Sequence, residues 1–165
     1  MIIFINGNMN AGKTTVAEIL KKQIEKPAIV EIDELGSFIS WMPIEEMVPI
    51  NWENALLVIK NLVKYSFNVI VPYPISQKNF ELITNDLKDV GTDVFFVNLN
   101  PPLGALVTNR GDRPLSREEI DRINVLHENK IAEHEFGITI DNSKQTPGET
   151  TSEILEYIGK TTQSN

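Results

Sequence analysis

The sequence predicts an α/β fold in one domain, a five-stranded parallel sheet with helices on both faces. Three observations predict it. Short apolar runs (Met1–Asn6, Ala28–Ile32, Val69–Val71, Asp93–Leu99 and Ile138–Ile140) alternate with segments of helical apolar spacing. The first run leads through the glycine-bearing stretch Gly7–Thr14 directly into a helix. Every run after the first is separated from the one before by enough chain for a crossover helix, which parallel pairing requires.

The elements follow in order. Met1–Asn6 reads as a buried strand, and Val16, Ile19, Leu20 and Ile24 form one face of the first helix. Pro27 breaks that helix, and the second strand ends at Asp33-Glu34. Leu35, Phe38 and Ile39 suggest a short helix, and Trp41 to Pro49 reads as irregular. Ala55, Leu56, Ile59 and Val63 place a helix over Trp52 to Lys64. The third strand is closed by Pro72-Tyr73-Pro74, and Ser76 caps a helix to about Lys88. Pro101 opens a helix through Leu103, Leu106 and Val107. Ser116 and Glu119 form a capping box for a helix to about Ala132. Thr146, Pro147 and Glu149 repeat that signal after the last strand, and residues 160–165 form a polar tail.

Composition narrows the function. The chain has 165 residues, enough for one sizeable core, and is 41% apolar. A net charge of −8 disfavours a nucleic-acid or anionic-membrane partner. The absence of cysteine excludes disulfides, thiolate metal sites and a Cys nucleophile. No apolar run approaches a membrane span and no signal peptide is evident, so the expected location is the cytoplasm. The expected assembly is a monomer or homodimer.

Gly7-Asn8-Met9-Asn10-Ala11-Gly12-Lys13-Thr14 carries the chemistry. It matches Gly, four residues, then Gly-Lys-Ser/Thr, in the context of strand and helix that this motif needs. The glycines let the loop curl with its N–H groups toward an anion, at the positive end of the following helix. Lys13 can reach the β- and γ-phosphates of a nucleotide, and the Thr14 hydroxyl can sit on Mg²⁺. Thr15 completes the predicted nucleotide contacts.

Sites in parallel sheets lie beyond the carboxyl ends of the strands. Gly7, Asp33, Pro72-Tyr73, Leu99 and Asp141 are all predicted on that rim. Asp33 there can hold Mg²⁺ or accept a proton from an attacking hydroxyl; a helix cap is the plainer role. Glu34 faces either the acceptor or a helix dipole. The chain has four arginines, Arg110, Arg113, Arg117 and Arg122, in one short window. A lid over about 109–117 bearing Arg110 and Arg113 could close on ATP and neutralise the transferring group. Arg117 is divided evenly between lid and ion pair, and Arg122 is assigned to ion pairs along its helix. His127 and His134 are assigned to surface or structural roles.

With these residues in view, the chain resembles the P-loop small-molecule kinases, among them shikimate kinase, gluconate kinase, the nucleoside monophosphate kinases and chloramphenicol phosphotransferase. The opening, with its Ile32-Asp33-Glu34-Leu35 segment leading toward Trp41-Met42-Pro43, is most similar to the last of these. Arg113-Pro114-Leu115 resembles the lid of shikimate kinases. The resemblance implies the three-layer P-loop NTPase fold and a phosphotransferase using ATP and Mg²⁺. It implies Asp33 as metal contact or base, Arg113 on the γ-phosphate and Arg110 against adenine. It places an adenine-contacting loop at Asp141 to Thr146, where a strand-end turn and helix cap are equally good readings.

Two departures matter. The third strand ends without an aspartate of the Walker B type. The presumed acceptor region, Asp33 to Ser76, has no arginine and only Lys60 and Lys64. Anionic acceptors are held by arginine forks, so the acceptor is expected to be a neutral or cationic alcohol. Phe38, Trp41, Trp52 and Tyr73, with Glu34, are the predicted acceptor contacts, against the commoner fate of aromatics as core. Alternatives are a nucleoside or nucleotide kinase, and a non-catalytic nucleotide-binding regulatory module.

Overall fold

The computed structural model describes residues 1–109 and 114–163. Its five strands form one parallel sheet: β1 (Ile2–Gly7), β2 (Pro27–Ile29), β3 (Asn68–Pro72), β4 (Val94–Leu99) and β5 (Ile138–Ile140). Their spatial order is β2-β3-β1-β4-β5. The chain therefore leaves the central strand toward one edge and later crosses to the other. That reversal opens a crevice at the carboxyl ends.

Strand β1 shows why both faces are covered. Ile3 and Ile5 point to one side, where Val16, Ala17 and Leu20 of α1 (Lys13–Leu20) and Ile154 and Ile158 of α7 (Pro147–Gln163) complete a core. Ile2 and Phe4 point to the other. There they meet Trp52, Ala55 and Ile59 of α3 (Ile44–Lys64) and Ile83 and Leu87 of α4 (Gln77–Leu87). Two apolar layers therefore enclose a sheet that exposes neither face. The Lys60–Asp86 ion pair, 2.8 Å, ties α3 to α4 at their outer surface.

Several sequence signals act as read. Ser76 accepts the Asn79 N–H, and the Ser116/Glu119 capping box opens α6 (Arg117–Glu128). Thr146 and Glu149 exchange the same bonds ahead of α7. Each such cap contributes about 1 kcal/mol.

Four boundaries differ. The segment from Ile44 to Pro49 is helical, so α3 starts eight residues before Trp52 and contains Pro49. The Pro43 carbonyl accepts the N–H groups of Glu46 and Met47, and Glu45 and Glu46 face the positive end of the helix. Strand β2 stops at Ile29, and Asp33 lies in the short helix α2 (Ile32–Leu35), followed by a 3₁₀ turn over Gly36–Phe38. The helix after Pro101 is only α5 (Leu103–Leu106). Helix α6 ends at Glu128 rather than Ala132, because Lys130 turns to φ 52° and Ile131 N–H bonds back to the Leu126 carbonyl. At the far end of the chain, α7 continues regularly to Gln163. No helix among the described residues is long and apolar enough to cross a membrane.

Candidate functional site

The loop between β1 and α1 is built from backbone. Gly7 has φ 149°, Asn10 φ 62° and Gly12 φ 91°, so successive peptides curl around one concavity. A Cβ on Gly7 would lie 2.6 Å from the Leu99 carbonyl oxygen, so the adjacent strand leaves no room for a side chain. The asparagines fasten the loop from outside. Asn8 Nδ2 donates to the Ile123 carbonyl at 2.9 Å, and Asn10 Nδ2 to the Leu106 and Thr108 carbonyls at 2.7 and 2.9 Å. Asn142 Nδ2 donates to the Ala11 carbonyl at 2.9 Å. Ala11 is fully buried, so its peptide, not its side chain, belongs to the loop's function.

Lys13 opens α1 and folds back over the loop. Its Nζ donates to the carbonyls of Gly7 at 3.1 Å and Asn8 at 2.8 Å. Burial lowers its pKa to about 8, while the carboxylates of Asp33 and Glu31 act in the opposite direction.

A cleft of about 490 Å³ lies in front of this loop. One wall is Met9, Asn10 and Gly12 to Thr15. Opposite are Glu31 and Asp33, with Pro72, Tyr73 and Pro74 from the end of β3 and Ile44 from α3. Arg122 and Leu126 of α6 close the remaining side. The Glu31 carboxyl is pushed up by burial and by the neighbouring Asp33 and Glu34 carboxylates, with Lys13 opposing. Burial and Asp33 also push the Tyr73 hydroxyl up, against the Arg122 cation, so it stays protonated. A second cleft of about 400 Å³ begins on the other side of Gly12 and Thr15 and is lined by Asn142, Ser143, Gln145 and Pro147. The Asp141 carboxylate accepts the Ser143 N–H at 2.9 Å, which shapes that wall as a strand-end turn.

The structure thus gathers Lys13, Thr14, Thr15, Asp33 and Tyr73 around one space. Asp33 reaches it from the first turn of α2 and not from a strand end; the N-cap of α2 is Glu31, so the capping role read for Asp33 does not hold. Trp52 is corrected: it is fully buried on the core side of α3, and it meets Tyr73 edge-on with ring centroids 5.5 Å apart. Its spacing with Ala55, Leu56 and Ile59 already marked the buried face. Phe38 and Trp41 are 79% and 90% exposed and line neither cleft, and Glu34 is exposed on α2 outside the cleft wall. Arg110 and Arg113 lie outside the described residues.

Two charged cleft residues were missed. Glu31 was absorbed into a strand, although a glutamate two residues before Asp33 would share its rim once that strand ended early. Arg122 was given to local ion pairs, yet its helix turns it into the cleft. His134 does hold a structural bond, its Nε2 3.0 Å from the Ile75 carbonyl oxygen.

The donor set fits Mg²⁺, which keeps its waters and takes one or two carboxylates beside substrate phosphates. Thr14, Glu31 and Asp33 share the cleft and could supply those oxygens. Among the described residues there is no cluster of three His, Asp or Glu side chains of the kind that binds a metal without such phosphates.

No protein-family model matches the sequence, and no curated protein is similar to it in sequence. Solved structures do match. The tunicamycin resistance protein of Deinococcus radiodurans superposes with a TM-score of 0.72 at 20% identity, over 96% of this chain and 95% of that one. A gluconokinase from Sinorhizobium meliloti gives 0.67 at 15% identity, over 98% and 93%. Shikimate kinase from Aquifex aeolicus gives 0.64 at 18% identity, over the full length of both chains. At such identities the likeness speaks for architecture, and that architecture is the three-layer α/β fold of the P-loop small-molecule kinases.

Proposed function

We propose that this chain is an ATP-dependent phosphotransferase that moves the γ-phosphoryl group of Mg·ATP to a hydroxyl of a small, non-anionic molecule. The observation that carries this reading is the single cleft in which Lys13 and Thr14 face Glu31, Asp33 and Tyr73. Phosphates lie against the loop amides at the start of α1, where Lys13 exchanges its bonds to the Gly7 and Asn8 carbonyls for phosphate oxygens. The nucleotide base extends over Gly12 and Thr15 into the second cleft, against Asn142 and Gln145. Thr14, with Glu31 and Asp33, would hold Mg²⁺, which when bound neutralises charge on the phosphates.

Asp33 takes the proton as the acceptor oxygen forms its bond to the γ-phosphorus and the bond to the departing ADP oxygen breaks. Arg122 stabilises the charge spread over the transferring group, and Arg110 and Arg113 complete its enclosure. The cleft also supports the choice of acceptor. Among the described residues the cations lining it are Lys13 and Arg122, both on the phosphate side of this reading, which leaves none to pair with an anionic acceptor. Lys60 is held by Asp86 away from the cleft.

The test is calorimetric titration with Mg·ATP, then ATP consumption over a panel of antibiotics, sugars, nucleosides and polyols. Lys13→Ala should bind no nucleotide while keeping its circular dichroism. Turnover on a nucleoside monophosphate would overturn the acceptor assignment. Nucleotide binding with no product across the panel would make the chain a regulatory module.

A further inference from the structure

The side chain of Asn6, fully buried at the end of β1, uses its whole hydrogen-bonding capacity. Its Nδ2 donates to Asn98 Oδ1 at 2.8 Å and to the Ile131 carbonyl at 2.7 Å. Its Oδ1 accepts the Gly7 N–H at 2.8 Å and the Ile75 N–H at 2.7 Å. The amide cannot flip, because Nδ2 would then face two N–H donors. One oxygen therefore joins the first residue of the phosphate loop to the end of the Pro72–Ile75 segment, whose Pro72, Tyr73 and Pro74 form the opposite wall of the cleft.

Each partner is held again at its carbonyl. Gly7 O accepts from Lys13 Nζ at 3.1 Å. Ile75 O lies 3.0 Å from His134 Nε2, and since a carbonyl only accepts, that nitrogen carries the proton. A continuous path thus runs from the Lys13 ammonium through Gly7 and Asn6 to Ile75. Phosphate capture by Lys13 withdraws the bond to Gly7 O, which loosens one side of the residue whose own N–H, in the preceding peptide, shares the Asn6 oxygen with the Ile75 N–H.

We propose that Asn6 is a positioning residue that couples occupancy of the phosphate loop to the placement of the Tyr73-bearing acceptor wall. The inference rests on the nucleotide binding proposed above. A buried amide with all four bonds made is suited to the task, because it transmits a shift at one partner instead of absorbing it.

The chain contains two tryptophans. Trp52 is buried against Tyr73 and lines neither cleft, so in Trp41→Phe protein it reports on the wall alone. Mg·ADP binding is measured by calorimetry and Trp52 emission is read in the same titration. The expected result is an emission shift that saturates with binding. Asn6→Asp gives up the Nδ2 bonds to Asn98 and Ile131 but keeps an oxygen for both N–H groups, so where it folds it retains the shift. Asn6→Leu reduces its amplitude at least fivefold while Kd changes less than tenfold. Bound Mg·ADP with unchanged Trp52 emission overturns the coupling and leaves the nucleotide site standing. A full shift in Asn6→Leu also overturns it, since Tyr73 would then be sensing the nucleotide directly. Failure to bind Mg·ADP at all removes the proposed function and the coupling with it. Should Asn6→Leu not fold, the Trp41→Phe protein still decides, unchanged Trp52 emission with Mg·ADP bound overturning the coupling.

Discussion

Asn142 and Ala11 are 131 residues apart in sequence and joined by a 2.9 Å hydrogen bond from the Asn142 amide to the Ala11 carbonyl. That bond makes the turn after β5 part of the support of the glycine loop between β1 and α1. The same residue lines the second cleft, where the nucleotide base is proposed to lie. Asn142→Ala should leave the Ala11 carbonyl unpaired and weaken Mg·ATP binding about 3–10-fold, by loss of one buried hydrogen bond. Asn142→Asp should not rescue it, because a carboxylate cannot donate to a carbonyl. Calorimetry on both variants, with melting curves as control, checks this.

Nucleotide affinity should fall as pH rises above about 8, the value to which burial lowers Lys13. Phosphates bind the ammonium form, so binding above that pH takes up a proton, and affinity drops by about tenfold per unit until the pKa of the complex is reached. Stability moves the other way. The unfolded chain keeps this proton up to the ordinary 10.5 and the folded chain releases it near 8. Between those values the unfolded state binds more protons, so this group's contribution to stability increases with pH. Calorimetry at pH 8.5 in two buffers of different ionisation enthalpy measures the uptake directly.

Glu31→Gln should separate stability from activity. The folded-state pKa of Glu31 is raised, first by burial and then by Asp33 and Glu34. The folded chain therefore holds this proton more tightly than the unfolded chain, and the group destabilises the fold increasingly as pH rises through its raised pKa. Removing the charge should increase Tm at pH 7.5 by about 1–3 °C, and leave it unchanged at a pH below the ordinary 4.5. The same change should lower kcat about 10–100-fold by removing the metal contact proposed for it. A fall in Tm at pH 7.5 would show that the carboxylate is structural.

Arg122→Gln should lower kcat about 10–100-fold with little change in the affinity for Mg·ADP, because its role is assigned to charge that develops during transfer. Arg122→Lys should recover only part, since an ammonium lacks the planar fork. Arg122 is exposed on α6, so Tm should stay within about 1–2 °C of the parent. Steady-state kinetics on the acceptor found by the panel checks the split between kcat and binding.

Local signals were read from the sequence where neighbours in the chain make the interaction. The Ser116/Glu119 and Thr146/Glu149 caps, the glycine loop and the alternation of strands with helices all depend on residues within a few positions of one another. The reading failed where a distant partner decided. Trp41 to Pro49 reads as irregular, but α3 begins at Ile44 and runs through Pro49, with Ile44 at the cleft and Trp52 in the core on one continuous helix.

By itself, then, the sequence determined that a glycine-bearing loop joins the first strand to a helix, that the fold is a parallel α/β sheet and that acidic groups stand near its carboxyl rim. Hydrogen bonding and steric preference act over a few residues and leave their mark in spacing. Only the tertiary structure decided which side chains share the cleft. Glu31 and Arg122 enter it and Trp52 leaves it, because strand order and helix packing bring together atoms that lie far apart along the chain. The meeting of Gly7 and Ile75 on one oxygen of Asn6 is of that second kind: it exists only once β1 and β3 lie side by side.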